Sequence, residues 1–299
     1  MKKAFTLIEL MVGVALLAMV LAFTSVIFKV SIESYRQGSA NMEIMQKLRA
    51  ITDQLNSDFK GLQKDGYLML RSEAEPNRQE FQNSPATATF RADRLYYFST
   101  GDFQSWFNAN IRSNIAMIYF GHDRSLFDGS FVSKWNLARD IELLTPGISP
   151  PLDCNNISYA ECKANISLIS GRAEALLLYS LPINIKVYRD DVRRLMCQNA
   201  GEMVIEWTDG TKYPLDGSLA WFGFSMLRKE DHLGIPANHN YDTIEVKDPA
   251  AVPLYYTAYW KPDTPKQYWP KALKFTFTLY DSKGLLKGGR TFTHIVYLD

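Results

Sequence analysis

The chain has nearly equal numbers of positive and negative side chains, and it lacks the sequence motifs of common catalytic centres. Lys and Arg number 33 against 32 Asp and Glu, and no long basic run follows the first residues, so the sequence argues against a nucleic-acid partner. The four histidines are scattered, and none stands in a metalloprotease, nucleophile-elbow or phosphate-loop spacing. The sequence therefore favours a structural or interaction protein and not an enzyme.

Cysteine is also scarce, which limits both metal binding and cross-linking. Cys154, Cys162 and Cys197 lack the Cys-x-x-Cys or Cys/His spacing that would hold zinc. Cys154 and Cys162 flank a short polar loop, and they are candidates for a small disulfide ring if the domain folds outside the cytoplasm. A pair between Cys162 and Cys197, or three free thiols, are the alternatives that the sequence leaves open.

The long hydrophobic run of this chain lies at its N-terminus. Lys2 and Lys3 precede a stretch from Leu10 to Phe28 that contains no charged residue, and Lys29 follows it. Such a run has about the length of a helix that spans a bilayer. Because the stronger positive cluster comes first, the sequence predicts a single pass through a membrane with a cytoplasmic N-terminus.

Glu9 stands inside this apolar segment and breaks the pattern of a simple anchor. A carboxylate in lipid is costly and persists mainly where it finds a partner, so Glu9 is a candidate functional residue. An ordinary secretory signal cut after Ala22 would release a soluble domain that begins at Phe23. Neither that signal nor a plain anchor explains Glu9.

The sequence FTLIELMVGVALLAMVLA after a basic leader resembles the class III signal of type IV prepilins and type II secretion pseudopilins. The resemblance implies that a prepilin peptidase cuts between Ala4 and Phe5 and methylates the new N-terminus at Phe5. It also implies that Glu9 meets the N-terminal amine of a neighbouring subunit during assembly. The family usually has Gly before the cut, where this chain has the small residue Ala4.

An amphipathic pattern continues the helix beyond the membrane segment. Apolar residues recur at spacings of three and four at Ile44, Leu48, Ile51, Leu55, Phe59 and Leu62. This pattern predicts a helix of about 85 Å from Phe5 to about Gln63. Gly38 is the position at which it could break, and Gly61 and Gly66 are expected to end it.

Strand signals dominate from residue 65 onward. KFTFTLYD places Phe275, Phe277 and Leu279 on one face of a half-buried strand, and DSKGLLKGGR reads as the turn of a hairpin. The predicted class is α+β, a long N-terminal helix packed on antiparallel sheet. The predicted divisions are a leader (1–4), a transmembrane helix (5–29), its amphipathic continuation (30–64) and a β-rich periplasmic head (65–299).

The large size of the head narrows the resemblance to minor subunits of the family. ITDQLNSDFKGL, WNLARDIELL and LKFTFTLYDSKG resemble the J-type minor pseudopilin and the related W-type minor pilin. The resemblance implies a minor subunit that joins I- and K-type partners and primes or caps a secretion pseudopilus or a type IV pilus. Before assembly it would wait in the inner membrane, and afterwards it would belong to a periplasmic or surface filament.

Two stretches of the head offer other binding hypotheses. An aromatic stretch could form a sugar-binding or partner-binding ledge, or it could cap a β-core. The ledge would suit an alternative function as a filament-tip adhesin or carbohydrate-binding module. A secreted hydrolase is a weaker alternative function. A loop rich in acidic residues and histidine could gather calcium, or it could be a solvated loop. No other cofactor is predicted. The aromatic stretch comprises Tyr255, Tyr256, Tyr259, Trp260, Tyr268 and Trp269, and the loop contains Glu230, Asp231, His232, His239 and Asp242.

Overall fold

The computed structural model describes residues 7–75, 90–91, 93–123, 136–147, 154–156, 158–164, 195–212, 217–223, 244–246, 255–260, 262, 266–286 and 288–298. Its helices are α1 (Leu7–Phe59) and α2 (Tyr159–Ala164). Its strands are β1 (Leu68–Glu75), β2 (Phe90–Arg91), β3 (Arg94–Gln104), β4 (Arg112–Asp123), β5 (Asn136–Leu144), β6 (Cys154–Asn155), β7 (Leu195–Gln198), β8 (Ala200–Thr208), β9 (Ile244–Val246), β10 (Tyr255–Trp260), β11 (Ala272–Leu279) and β12 (Arg290–Tyr297).

The predicted α+β class is confirmed, with a long N-terminal helix followed by two sheets. A nine-stranded sheet has the order β6-β5-β4-β3-β1-β10-β9, with β2 beside β1 and β7 beside β5. A three-stranded sheet has the order β12-β11-β8. In the described part of the chain, the strand pairs are antiparallel except β5 with β6. Strand signals in residues 174–182 lie outside the described residues.

Helix α1 runs unbroken for 53 residues, so the expected break at Gly38 is wrong. A glycine costs about 1 kcal/mol in a helix interior, and helix formation is cooperative enough to continue through one such position. The helix also stops at Phe59, four residues before the expected end at Gln63. Beyond it, the N–H of Gly61 bonds to the Asp58 carbonyl, and Leu62 forms a β-bridge with Ser99.

Gly61 is required by a close approach of two backbones. A Cβ at this position would collide with the carbonyl oxygen of Thr100 and approach the Ser99 hydroxyl. The Thr100 N–H instead donates to the Gly61 carbonyl at 2.7 Å. The chain therefore leaves the helix directly onto strand β3, which fixes where the head begins.

The amphipathic stripe of α1 is confirmed as the helix's core-facing side. Ile44, Ile51, Leu55 and Phe59 are at most 6% exposed, and Leu48 packs partly buried beside them. Both sheets pack on the same core. The other core residues include Leu68, Tyr97, Phe120, Trp207, Trp260, Phe275 and Phe277.

The alternation predicted for KFTFTLYD is also confirmed. Phe275, Phe277 and Leu279 are buried, whereas Thr276 and Thr278 lie on the other face and are only partly buried. Strand β11 pairs with β12 in antiparallel register, as the hairpin prediction requires. Burial of these three large side chains contributes about 1.5–3 kcal/mol each relative to an exposed state.

Candidate functional site: helix α1 and its attachment to the head

The N-terminal half of α1 is exposed along its whole described length. Every residue from 7 to 39 is exposed, and Ala40 is the first buried residue of the helix. At 1.5 Å per residue, this bare half is about 50 Å long. It is long and apolar enough to cross a membrane.

Hydroxyl groups within the bare half are satisfied by the helix itself. Thr24 Oγ1 donates to the Val20 carbonyl and Ser25 Oγ donates to the Leu21 carbonyl, each at 2.8 Å. Such bonds to the preceding turn remove the cost of placing a hydroxyl in lipid. The polar side chains in the middle of the segment are therefore compatible with a membrane span.

Glu9 lies in the first turn of α1 and its side chain is exposed. A carboxylate near a helix N-terminus is favoured by the positive end of the helix dipole. Another chain can reach this position because the surrounding helix surface is bare. Ala4 and Phe5 lie outside the described residues, so cleavage between them stays a prediction.

A buried ion pair fastens the C-terminal end of α1 to the large sheet. Arg139 of β5 donates from Nε to Asp58 Oδ2 at 2.5 Å and from Nη2 to Asp58 Oδ1 at 2.6 Å. Gln54 Nε2 donates to the same carboxylate at 2.8 Å, and Ser99 Oγ of β3 donates to the Asp58 carbonyl at 2.9 Å. The Asp58 side chain is 6% exposed, so this two-pronged pair is shielded from water.

Two aromatic rings close the same corner. Phe59 stacks on Tyr97 with ring centroids 4.5 Å apart and an interplanar angle of 12°. Burial, with a further contribution from the charge of Asp58, raises the pKa of Tyr97 well above its ordinary value. Tyr97 therefore stays neutral, and the ring serves as packing beside the ion pair.

A second attachment joins the start of the embedded helix to the β11–β12 turn. Lys47 Nζ contacts Glu43 Oε1 at 2.7 Å and donates to the Tyr280 carbonyl at 2.9 Å. Ser282 donates to Glu43 from its N–H at 3.0 Å and from its hydroxyl at 2.9 Å. Burial raises the pKa of Glu43, but the hydrogen bonds from Lys47 and Ser282 outweigh it and hold that pKa below its ordinary value.

Asp281 shapes the turn that receives this attachment. Its carboxylate accepts the N–H groups of Lys283, Leu285 and Leu286 at 3.2, 2.9 and 2.9 Å. Burial raises the pKa of Asp281, but these backbone hydrogen bonds outweigh it and lower the pKa. Helix α1 is thus held to the head at both ends of its embedded half.

Two residues of the aromatic stretch, Trp260 and Trp269, fit the core interpretation. The side chains of Tyr255, Tyr256 and Tyr259 lie outside the described residues, so the ledge interpretation stays a prediction for them. Trp260 and Trp269 are 1% and 2% exposed, and Trp260 Nε1 donates to the Tyr268 carbonyl at 3.0 Å. Trp260 also meets Trp207 edge-on with centroids 5.6 Å apart. Trp260 lies on β10, between β1 and β9 of the nine-stranded sheet, and Trp269 lies just before β11; both belong to the core.

The structure describes only some of the residues on which the cysteine and calcium predictions depend. Cys197 has a free, buried thiol, and burial raises its pKa to about 11. Cys154 lies in β6 and Cys162 in α2, but their side chains lie outside the described residues, as does the whole loop with His232 and His239. Among the residues described, no group of three or more His, Cys, Asp or Glu side chains could hold a metal ion.

Asp58 and Arg139 were not identified from the sequence as a buried ion pair. Asp58 follows Leu55 by three residues and Ile51 by seven, so a carboxylate occupies the apolar stripe. A charge at such a position needs a buried partner, and this was the signal that could have marked Asp58. Nothing in the sequence pointed to Arg139, 81 residues away.

The comparisons with known proteins agree with an N-terminal signal that leads into the bare half of α1. The family model described as the prokaryotic N-terminal methylation motif matches residues 1–25. No curated protein and no solved structure matches the chain. The N-terminus of the chain thus carries a type IV prepilin-like signal followed by an apolar helix.

Proposed function

We propose that this protein is a minor subunit of a type II secretion pseudopilus or a type IV pilus, of the J or W type. It performs no chemistry and helps to prime or cap the filament together with I- and K-type subunits. The observation that carries the proposal is the bare half of α1, residues 7–39, which overlaps the methylation motif of residues 1–25 and is joined to a large two-sheet head.

In this proposal the prepilin peptidase cuts between Ala4 and Phe5 on the cytoplasmic side, and Phe5 becomes the methylated N-terminus. The bare half of α1 then spans the inner membrane once, with the head in the periplasm. Lys29 marks the end of the uncharged run that began at Leu10. The position of Ala40 as the first buried helix residue supports this division, because everything before it is exposed.

Glu9 is the assembly residue of the proposal. Its carboxylate pairs with the N-terminal amine of a neighbouring subunit, and that pair forms only when a subunit moves from lipid into the filament. Removing one member of a charge pair in a low-dielectric site leaves the other at a cost of several kcal/mol. Folding of the head does not depend on Glu9, because Ala40, the first buried residue of α1, lies more than 30 residues later.

The experiment is to replace Glu9 by Ala and follow the protein through processing and assembly. The variant is expected to be cleaved and to accumulate in the membrane, but to disappear from sheared filaments and from detergent-extracted complexes of minor subunits. Glu33→Ala is the matched control, because Glu33 is an exposed glutamate of the same helix beyond the uncharged run. Normal incorporation of the Glu9→Ala protein would contradict the charge-pair mechanism.

A further inference from the structure

The hairpin between β3 and β4 presents two aromatic side chains to solvent. We call residues 105–110 the aromatic tip. Trp106 is 56% exposed and Phe107 is 39% exposed, whereas Trp207, Trp260 and Trp269 are at most 2% exposed. Of the five tryptophans that the structure describes, Trp106 is the exposed one and Trp221 is partly buried. An exposed indole offers a large apolar face and a polar N–H to a ligand.

The backbone of the aromatic tip is held in one shape. Buried Ser105 accepts the N–H groups of Phe107 and Asn108 on its hydroxyl at 3.2 and 3.1 Å. Gln104 Nε2 donates to the Ala109 carbonyl at 2.7 Å across the turn. A ligand that met the two rings would therefore bind a preorganised surface and would not have to order the loop.

The groups around the rings are neutral and polar. We call residues 101–112 the arm. Gln104, Asn108 and Asn110 place carboxamides, which both donate and accept hydrogen bonds, on exposed positions of the arm. Asp102 and Arg112 pair with each other at 3.4 Å, so residues 101–112 carry no net charge. Nucleic acid and anionic lipid would both require excess positive charge at this place.

The position of the arm also separates it from the membrane that would hold α1. The arm leaves the head where the Thr100 N–H bonds to Gly61, just beyond the end of the helix. From Lys29 to Phe59 the helix extends about 45 Å. The aromatic tip therefore does not serve as a contact with the bilayer that α1 spans.

The exposed area of the tip fits a small ligand better than a protein partner. At 56% and 39% exposure, the two rings offer about 200 Å² of accessible surface. A stable protein interface buries about 800 Å² on each partner. The rings are large enough to cover one or two pyranose rings, whose apolar C–H faces stack on aromatic side chains while their hydroxyls meet carboxamides.

We propose that the aromatic tip is a carbohydrate-binding site, with Trp106 as the stacking platform, Phe107 beside it, and Asn108 and Asn110 as hydrogen-bonding groups. This site differs from the aromatic stretch of β10, whose Trp260 is buried. The proposal goes beyond the filament role and does not depend on it, because binding at the tip requires neither cleavage nor Glu9.

The test is calorimetry and saturation-transfer NMR on the full chain in a detergent without a sugar headgroup. The probes are tetrasaccharides of β-1,4-linked N-acetylglucosamine, β-1,4-linked glucose, α-1,4-linked glucose and α-1,6-linked mannose. We expect saturable binding of at least one probe and a loss of about tenfold or more in affinity for Trp106→Ala. Trp106→Phe should retain part of the affinity, because a smaller ring still stacks.

Tyr297→Ala is the matched control, because Tyr297 is an exposed ring, at 63%, on strand β12. Its affinity for the same probe should equal that of the unchanged chain. Absence of binding to all four probes at millimolar concentration would overturn the proposal, as would equal binding by the Trp106→Ala chain. A photo-crosslink from position 106 to another subunit, combined with no sugar binding, would make the tip a protein contact instead.

Discussion

One continuous helix carries two regions with opposite surroundings. Residues 7–39 of α1 are exposed throughout, whereas the half from Ala40 to Phe59 buries one face on both sheets. The bare half contains the uncharged, mostly apolar run from Leu10 to Phe28, and the embedded half has an apolar stripe with charges elsewhere. The comparison shows that pattern as well as composition decides where a helix is placed: a uniformly apolar surface suits lipid or other helices, and a stripe suits a core.

The largest expected effect comes from the buried ion pair at the end of the embedded half. Asp58→Ala leaves Arg139 charged, shielded and without its bidentate partner, so the head should lose about 3–5 kcal/mol of unfolding free energy. Urea unfolding of the full chain in detergent, followed by tryptophan fluorescence, measures this loss. Asp53→Ala is the control on the same helix, because the Arg49–Asp53 pair at 3.7 Å is exposed and should contribute at most about 0.5 kcal/mol. Equal losses for the two variants would contradict the assignment of the Asp58 pair as an anchor.

Replacing one leucine by alanine in each half of α1 tests the same difference between the halves with apolar side chains. Leu55→Ala in the embedded half should destabilise the head by about 2–5 kcal/mol, because Leu55 is 1% exposed and the change leaves a cavity. Leu17→Ala in the bare half, where Leu17 is 60% exposed, should leave the unfolding of the head unchanged. The same denaturation curves test both. If Leu17→Ala also shifted the curve, the bare half would have to pack on the head.

Replacing either of two glycines of the N-terminal region by alanine should change stability by a smaller amount, and the two changes should have opposite signs. A Cβ at Gly61 meets the Thr100 carbonyl, so Gly61→Ala should destabilise the head by about 1–3 kcal/mol. At Gly38 a Cβ meets nothing within 4 Å, so Gly38→Ala should favour the helix by about 1 kcal/mol and leave the head unaffected. Thermal unfolding gives the first value, and far-ultraviolet circular dichroism on heating gives the second. A destabilised Gly38→Ala head would show that the two halves are not independent.

The smallest effect is a pH dependence at the seam between α1 and β12. His294 contacts Asn56 Oδ1 at 3.0 Å, and burial lowers its pKa. Because the folded chain binds this proton less readily than the unfolded chain, His294 contributes no loss above pH 6.5 and an increasing loss as pH falls below it. His294→Gln should therefore show a flatter decline of stability between pH 7 and pH 5 than the unchanged chain. Equal declines in the stability of the two proteins would show that protonation of His294 does not contribute to this pH dependence.

How much could be predicted from the sequence differs between the two halves of α1. The bare half follows from one uninterrupted run with a carboxylate at Glu9, because both are local features of the sequence. The stripe of Ile44, Ile51 and Leu55 follows from helical periodicity, and the β11–β12 hairpin follows from alternation and turn residues. Each of these depends on neighbours within about ten residues, where pattern and structure are linked directly.

The features that sequence could not supply depend on contacts between distant segments. Asp58 meets Arg139 only after β5 enters the large sheet, and Lys47 meets the Tyr280 carbonyl across 233 positions. Composition alone did not separate the buried indole of Trp260, on strand β10, from the exposed indole of Trp106, in the turn between β3 and β4.

The most direct test of the account is the intact mass and N-terminal sequence of the protein extracted from membranes, with the prepilin peptidase present and absent. The account predicts a membrane-bound chain that has lost Met1 to Ala4 and carries one methyl group on Phe5 when the peptidase is present, and an uncut chain when it is absent. A soluble chain that begins at Phe23, whether or not the peptidase is present, would contradict it.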